Sequence, residues 1–191
     1  MEREVLMTGI GGQGVQLGAQ VMARAAVLEG RHVMLFGSYG GTMRGGPTDS
    51  TLVVADLPIS SPPIVSRAWS AVVMHHDFWE PVRAKLDPDA VVVLNASLFA
   101  GEVDRAALRV FDIEATRIAA ELGSPVSASM VMVGAFAGIT ELLSIECLVE
   151  AMASSLPSYR AQHRERNERA LRAGFETVPQ GAAPAWQEPA A

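Results

Sequence analysis

Cysteine is almost missing from this chain. Its 191 residues hold one, Cys147, in an apolar helical setting. One thiol excludes an internal disulfide framework and supplies no thiolate set for an iron–sulfur cluster or a zinc site. It reads as a small buried apolar side chain. Lysine is as scarce: among 15 basic residues only Lys85 is a lysine. Against 21 acidic residues this leaves a formal charge of −6, which argues against nucleic-acid binding driven by bulk charge. No uninterrupted apolar run approaches the ~20 residues of a membrane span, so no membrane association is expected. Met1-Glu2-Arg3-Glu4 leads straight into a strand pattern without a signal-peptide profile, and a cytoplasmic location is expected. The serines include no G-x-S-x-G elbow, and no nucleophile–base pair stands out, so no catalytic residue is assigned.

What is present is globular: 49% hydrophobic and 19% charged residues, enough for one domain with a sizeable core. Mean hydropathy is +0.22, high for a soluble chain, which points to surface buried against partners. Short apolar runs at 4–8, 32–37, 71–74 and 91–95 read as strands, with 49–55 and 108–113 as further candidates. Helical patterns at 14–29 and 78–86 alternate with them. Gly30 is placed to stop the first helix, Asp77 to cap the second, and Asp87-Pro88-Asp89 to turn the chain. The expected fold class is therefore α/β: a Rossmann-like, mostly parallel sheet covered by helices on both faces, with a helical C-terminal part. Residues 129–143 are apolar or small throughout, a helix buried in the core or under a partner. Residues 145–156 and 160–173 follow as helices, the last stopping at Gly174. The expected organisation is a single domain over 1–175 and a disordered Pro/Ala-rich tail over 176–191.

Glycine carries the chemistry. Gly9-Ile10-Gly11-Gly12-Gln13-Gly14 lies between the first strand and the first helix, where backbone N–H groups and the positive helix end converge on an anion. Ser38-Tyr39-Gly40-Gly41-Thr42-Met43-Arg44-Gly45-Gly46 follows the second strand. Gly9, Gly11 and Gly14 also have the dinucleotide spacing, but a nicotinamide site wants an acidic residue ending the second strand. Phe36-Gly37-Ser38-Tyr39 has none, and Glu29 lies before that strand. Phosphate cradling, a dinucleotide, and glycines required only for packing remain open at this point. His75-His76-Asp77 suggests metal or general-base chemistry. Adjacent strand residues point to opposite sides, so the two imidazoles are not expected to share an ion, and no metal ligand is assigned. Asn95 and Ser97 end a later strand and could line the same crevice or simply hydrogen-bond within a loop.

Taken in order, these segments resemble the gamma subunit of the 2-oxoacid:acceptor (ferredoxin) oxidoreductase family. Its G-x-G-G-Q-G loop is matched by Gly9 to Gly14 and its S-Y-G-x-x-x-R-G-G loop by Ser38 to Gly46. An Ile-x-Ser-Pro element is matched by Ile59-Ser60-Ser61-Pro62, and a small/apolar segment ending in Gly-Ala by Met130 to Ala135. Asn167, Ala170 and Gly174 match the last helix. The chain departs from the family pattern at Gly41-Thr42, at Pro47 and at Ser129. The resemblance implies a non-catalytic subunit, inactive alone, of a complex that oxidatively decarboxylates a 2-oxoacid to an acyl-CoA. Thiamine diphosphate and iron–sulfur clusters would sit on alpha, beta and delta-type partners. Ferredoxin would accept the electrons, or NAD through a flavin subunit. Gly9, Gly11, Gly12, Gln13 and Gly14, with Ser38, Tyr39, Gly40, Arg44, Gly45 and Gly46, would bind coenzyme A phosphates or shape the subunit interface. Arg44 would supply charge-assisted contacts. The rival readings are a stand-alone Rossmann-type nucleotide-binding oxidoreductase and a scaffold subunit without ligand contact.

Overall fold

The computed structural model describes residues 1–39, 46–59, 65–156 and 162–186, with only the backbone at Ser38 and Tyr39. Six strands form one sheet: β1 (Glu2–Ile10), β2 (His32–Tyr39), β3 (Pro47–Ala55), β4 (Ala68–Val73), β5 (Leu86–Asn95) and β6 (Arg109–Ile113), in the order β2-β3-β1-β4-β5-β6. β1 pairs in parallel with β4, β4 with β5, and β5 with β6; β3 runs antiparallel between β1 and β2. The sheet is thus mostly parallel, with one reversed strand. Val91, Val92, Val93 and Leu94 are all buried, as expected of a strand covered on both faces.

The two faces are covered unequally. One carries α1 (Val15–Leu28) and α4 (Ala128–Thr140), with α3 (Ala115–Glu121), α5 (Ile145–Ser155) and α6 (Arg164–Glu176) around them. On the other, Leu6, Ala71, Val73, Val92 and Leu94 pack under the short α2 (Trp79–Arg83) and Phe99, Val103 and Leu108 of the following connection. Among the described residues no helix is long and apolar enough to cross a membrane.

All 13 residues of α4 are buried. Of the two fates open to this apolar run, core or partner, the fold takes the first. Two glycines let α6 lie directly on it. A Cβ at Gly134 would stand 1.9 Å from the Leu171 carbonyl oxygen, and one at Gly174 would stand 2.0 Å from that of Val131. Gly174 therefore does not stop the last helix, as its composition suggests; it sits within α6 as a close-contact position.

Three further expectations are corrected. Asp77 does not cap α2. His75 does the capping, its Nδ1 accepting from the Asp77 N–H at the start of a single 3-10 turn, and α2 then spans only five residues. Asp87-Pro88-Asp89 is not a turn before β5 but an irregular stretch inside it. Ala68 pairs with Leu86 and Ser70 with Val91, so the intervening residues bulge out, with Asp89 at φ 60°. The tail is ordered as far as the structure describes it. Residues 177–186 lie along the end of α4, where the N–H groups of Gly181, Ala183 and Ala185 donate to the carbonyls of Gly138, Ile139 and Thr140. A helix end leaves such carbonyls unpaired, and this strap satisfies them while burying Ala183 and Ala185 completely.

Gly134→Ala is expected to force α4 and α6 apart and cost upwards of about 2 kcal/mol. Gly30→Ala, at φ +73° with open space around it, should cost only about 1 kcal/mol of left-handed backbone strain. Urea unfolding of the two variants checks the ranking.

Candidate functional site

At the C-terminal end of β1 the chain turns through the first glycine loop into α1. Gly12 (φ +106°) and Gly14 (φ +82°) hold backbone conformations that side chains resist. Gly12 has open space beside it, whereas a Cβ at Gly14 would stand 2.4 Å from Ser129 Oγ on α4. Gly14 caps α1 without a side-chain hydrogen bond, and no acidic residue stands in the helix's first turn. Among the described residues, no side chain caps the positive end of the helix and no carboxylate of its first turn offsets it.

This helix end opens into a cleft of about 520 Å³, within the range of roughly 300–1,000 Å³ usual for small-molecule sites. Gly11, Gly12 and Gly14 form one wall with the first turn of α1; Thr48 of β3 adjoins them, and Val126, Leu156, His163 and Asn167 close the far side. The polar groups converge from separate elements. Asn167 is only 7% exposed, and its Oδ1 accepts from Ser127 Oγ at 2.8 Å, with Ser124 Oγ 2.8 Å beyond. Its Nδ2 has no partner among the described residues. It is not one of the buried unpartnered atoms, which among the described residues are Ser50 Oγ and Trp79 Nε1; on the Asn167 wall the cleft offers a side-chain N–H₂ beside the helix N–H groups.

The second glycine loop returns beside the first. Tyr39 pairs with Thr48 across β2 and β3, and the Gly11 N–H donates to the Gly46 carbonyl at 2.9 Å. Gly40, Arg44 and Gly45 lie outside the described residues, as do Ser60, Ser61 and Pro62. Other expected site residues serve the loop itself. Gln13 Oε1 accepts from the Ile10 N–H at 2.8 Å, and Gly9 lets the loop press on Met74, whose Cβ would be 2.8 Å from a Cβ at Gly9. Asn95 is fully buried and ties β5 to α3 through Thr116 and to the end of β4 through the Met74 carbonyl, and Ser97 bonds Glu114 and the Arg117 N–H. Glu29 accepts from the N–H and Oγ of Ser144, fixing the start of α5 rather than a ribose.

Nothing in the sequence marks His163, and Asn167 shows only as a matching residue in the last helix. Both sit over a hundred residues from the glycine loop, and no local pattern marks either as a cleft residue.

Gly14→Ala and Ser129→Gly should each destabilise the chain, and their double variant should recover part of the loss. A double-mutant cycle on unfolding free energies is expected to show favourable coupling of about 1 kcal/mol or more.

The profile of the pyruvate ferredoxin/flavodoxin oxidoreductase family matches residues 4–177. The chain is 33% identical over 178 residues to the pyruvate synthase subunit PorC of Methanothermobacter thermautotrophicus, covering 92% of this chain and 95% of that protein. It is 29% identical over 184 residues to the 2-oxoglutarate synthase subunit KorC of Methanocaldococcus jannaschii, covering 93% and 95%. The fold matches the crystal structure of a keto/oxoacid ferredoxin oxidoreductase gamma subunit from Geobacter sulfurreducens, with a TM-score of 0.79 at 24% identity, over 92% of this chain and 95% of that one. It also matches part of a 2-oxoglutarate:ferredoxin oxidoreductase from Magnetococcus marinus that holds 2-oxoglutarate, coenzyme A and succinyl-CoA, with a TM-score of 0.81 at 16% identity, over 99% of this chain and 33% of that one. At those identities the two structures speak for the fold alone. With the family profile spanning nearly the whole chain and full-length relatives on both the pyruvate and the 2-oxoglutarate side, this protein belongs to the pyruvate ferredoxin/flavodoxin oxidoreductase family, as a gamma-type subunit of a 2-oxoacid oxidoreductase.

Proposed function

We propose that the glycine-loop cleft contributes the phosphate-binding part of a coenzyme A site in a complex that converts a 2-oxoacid to an acyl-CoA and CO₂. The observation that carries this reading is the convergence on one cleft of the N-terminus of α1, which has no side-chain cap, with Asn167, whose Oδ1 is held by Ser127. Coenzyme A carries a diphosphate and a 3′-phosphate, and oriented N–H donors at a helix start suit such groups. The role of this chain is to hold and orient that polyanion, not to make or break bonds. Arg44, Ser38, Tyr39 and Gly46 on the second loop are assigned to the same ligand or to the adjoining subunit.

Thiamine diphosphate and the iron–sulfur clusters belong, in this reading, to alpha, beta and delta-type subunits. A chain with one cysteine cannot supply the four thiolates of a cluster. The two electrons released with CO₂ would leave through those partners to ferredoxin, or to NAD through a flavin subunit. The complex would work in the cytoplasm.

Asn167→Asp retains an acceptor for Ser127 and exchanges the cleft-facing donor for a negative oxygen. In the assembled complex it should raise the KM for coenzyme A by about tenfold or more, equivalent to about 1.4 kcal/mol, with kcat and the KM for the 2-oxoacid nearly unchanged. Steady-state kinetics decides it, and an unaltered coenzyme A KM in a correctly assembled complex would overturn the cleft assignment.

A further inference from the structure

The carboxyl ends of β1 and β4 lie side by side at a topological switch. After β1 the chain enters α1 on one face of the sheet; after β4 it enters the 3-10 turn His76–Phe78 and α2 on the other. Ligands of open α/β sheets gather at such a point. One wall here is the glycine loop. The other is Met74-His75-His76-Asp77, joined to it by the Met74 N–H donating to the Thr8 carbonyl at 2.9 Å and by the close approach of Gly9 to Met74.

Opposite pointing of the two imidazoles would hold only in a continuous strand. β4 ends at Val73, and the 3-10 turn swings His76 back beside His75, so that the rings stack with centroids 4.6 Å apart and planes 23° from parallel. A ring nitrogen of each histidine and an Asp77 carboxylate oxygen lie within 4.8 Å of one another. His75 Nδ1 is 3.4 Å from Asp77 Oδ2, and His76 Nε2 is 3.0 Å from Asp77 Oδ1. Ligands of a tetrahedral ion with bonds of about 2.0–2.1 Å stand about 3.3 Å apart; the two separations are of that size but run to different oxygens of Asp77, so an ion draws on both or on one after a small rotation of the carboxylate.

The hydrogen bonds around the cluster set the role of each ring nitrogen. His76 Nδ1 is 3.1 Å from the Leu98 carbonyl, which can only accept, so this nitrogen carries the proton. In the neutral ring Nε2 then holds a lone pair, and it faces a carboxylate oxygen, another acceptor. His75 Nδ1 accepts from the Asp77 N–H at 3.3 Å, so its one lone pair is engaged in a long hydrogen bond that a bound ion would replace. At 3.0 Å from a carboxylate oxygen, His76 Nε2 needs a positive centre beside it, which either a second ring proton or a metal ion supplies. A ring nitrogen held by a backbone carbonyl while its opposite nitrogen is left free is also the usual outer support of a metal-bound histidine.

We propose that His75, His76 and Asp77 form a binding site for a divalent transition-metal ion of the zinc class, on the wall of the switch crevice opposite the glycine loop. Two imidazole nitrogens and one carboxylate oxygen suit such an ion, and three protein ligands leave a coordination position open for water or an anionic group. None of the three residues lines the glycine-loop cleft, so the site stands apart from the coenzyme A reading.

The test uses the untagged full-length chain, stripped of metal by a chelator and titrated with Zn²⁺ by calorimetry. One equivalent should bind, and His75→Ala, His76→Ala and Asp77→Asn should each weaken binding at least about tenfold, while His32→Ala and His163→Ala should not. Imidazole NMR of the unsubstituted chain gives a readout that needs no variant: Zn²⁺ should shift the His75 and His76 ring signals and leave those of His32 and His163 in place. Absence of stoichiometric binding, binding that survives the His75→Ala/His76→Ala double variant, or shifts confined to the other two histidines would each overturn the proposal.

Discussion

The contact between the backbones of α4 and α6 sets the geometry on which the cleft depends. Gly134 and Gly174 bring Leu171 and Val131 carbonyls to where side-chain carbons would otherwise stand. At that separation α6 is fixed as a rigid body, and Asn167 is carried to the rim of the cleft with it. The opposite flank of α4 faces α1: Ser129 fills the space beside Gly14, and Val133 lies 3.2 Å from where a Cβ of Gly18 would be. One buried helix therefore gauges both walls. Close packing of this kind tolerates little change in volume, which ties the spacing of the polar groups to small residues well behind them.

The sheet supplies the second constraint. With β3 reversed between β1 and β2, the two glycine loops rise from the same end of the sheet and meet at the Gly11–Gly46 hydrogen bond. With β1 beside β4 and their connections leaving on opposite faces, that same end carries the switch crevice. Two different chemistries, helix N–H donors on one side and imidazole with carboxylate on the other, thus share a single rim of a six-stranded sheet.

The architecture was legible where local pattern and tertiary position agree. The strands of the parallel half are short runs of β-branched residues, and α1 begins where glycines end a strand. Patterns failed where position overrules composition. Gly174 resembles a helix stop until the neighbouring helix is known to need a residue without a side chain. The alanines and prolines before Trp186 resemble a loose tail, yet the N–H groups of Gly181, Ala183 and Ala185 answer carbonyls about forty residues earlier. Strand periodicity misplaces His75 and His76, because β4 ends at Val73, before either of them. The cleft was half legible. Its glycine wall is a local motif, but Asn167 and His163 reach it only through the packing of α6, which no spacing in the sequence encodes.

The strap at the end of the described chain has a topological consequence. Arg3, at the start of β1, donates through Nε to the Ala185 carbonyl, and Trp186 stacks under the guanidinium of Arg31 at the start of β2. The beginning and end of the fold therefore meet at the sheet's N-terminal edge, across the molecule from the glycine loops and the histidine cluster. A unit whose ends meet away from its working rim can be joined to another polypeptide at a single seam without threading through its own ligand-binding side. The same architecture can thus serve as a separate subunit or as one segment of a longer chain, its crevice facing outward in either case.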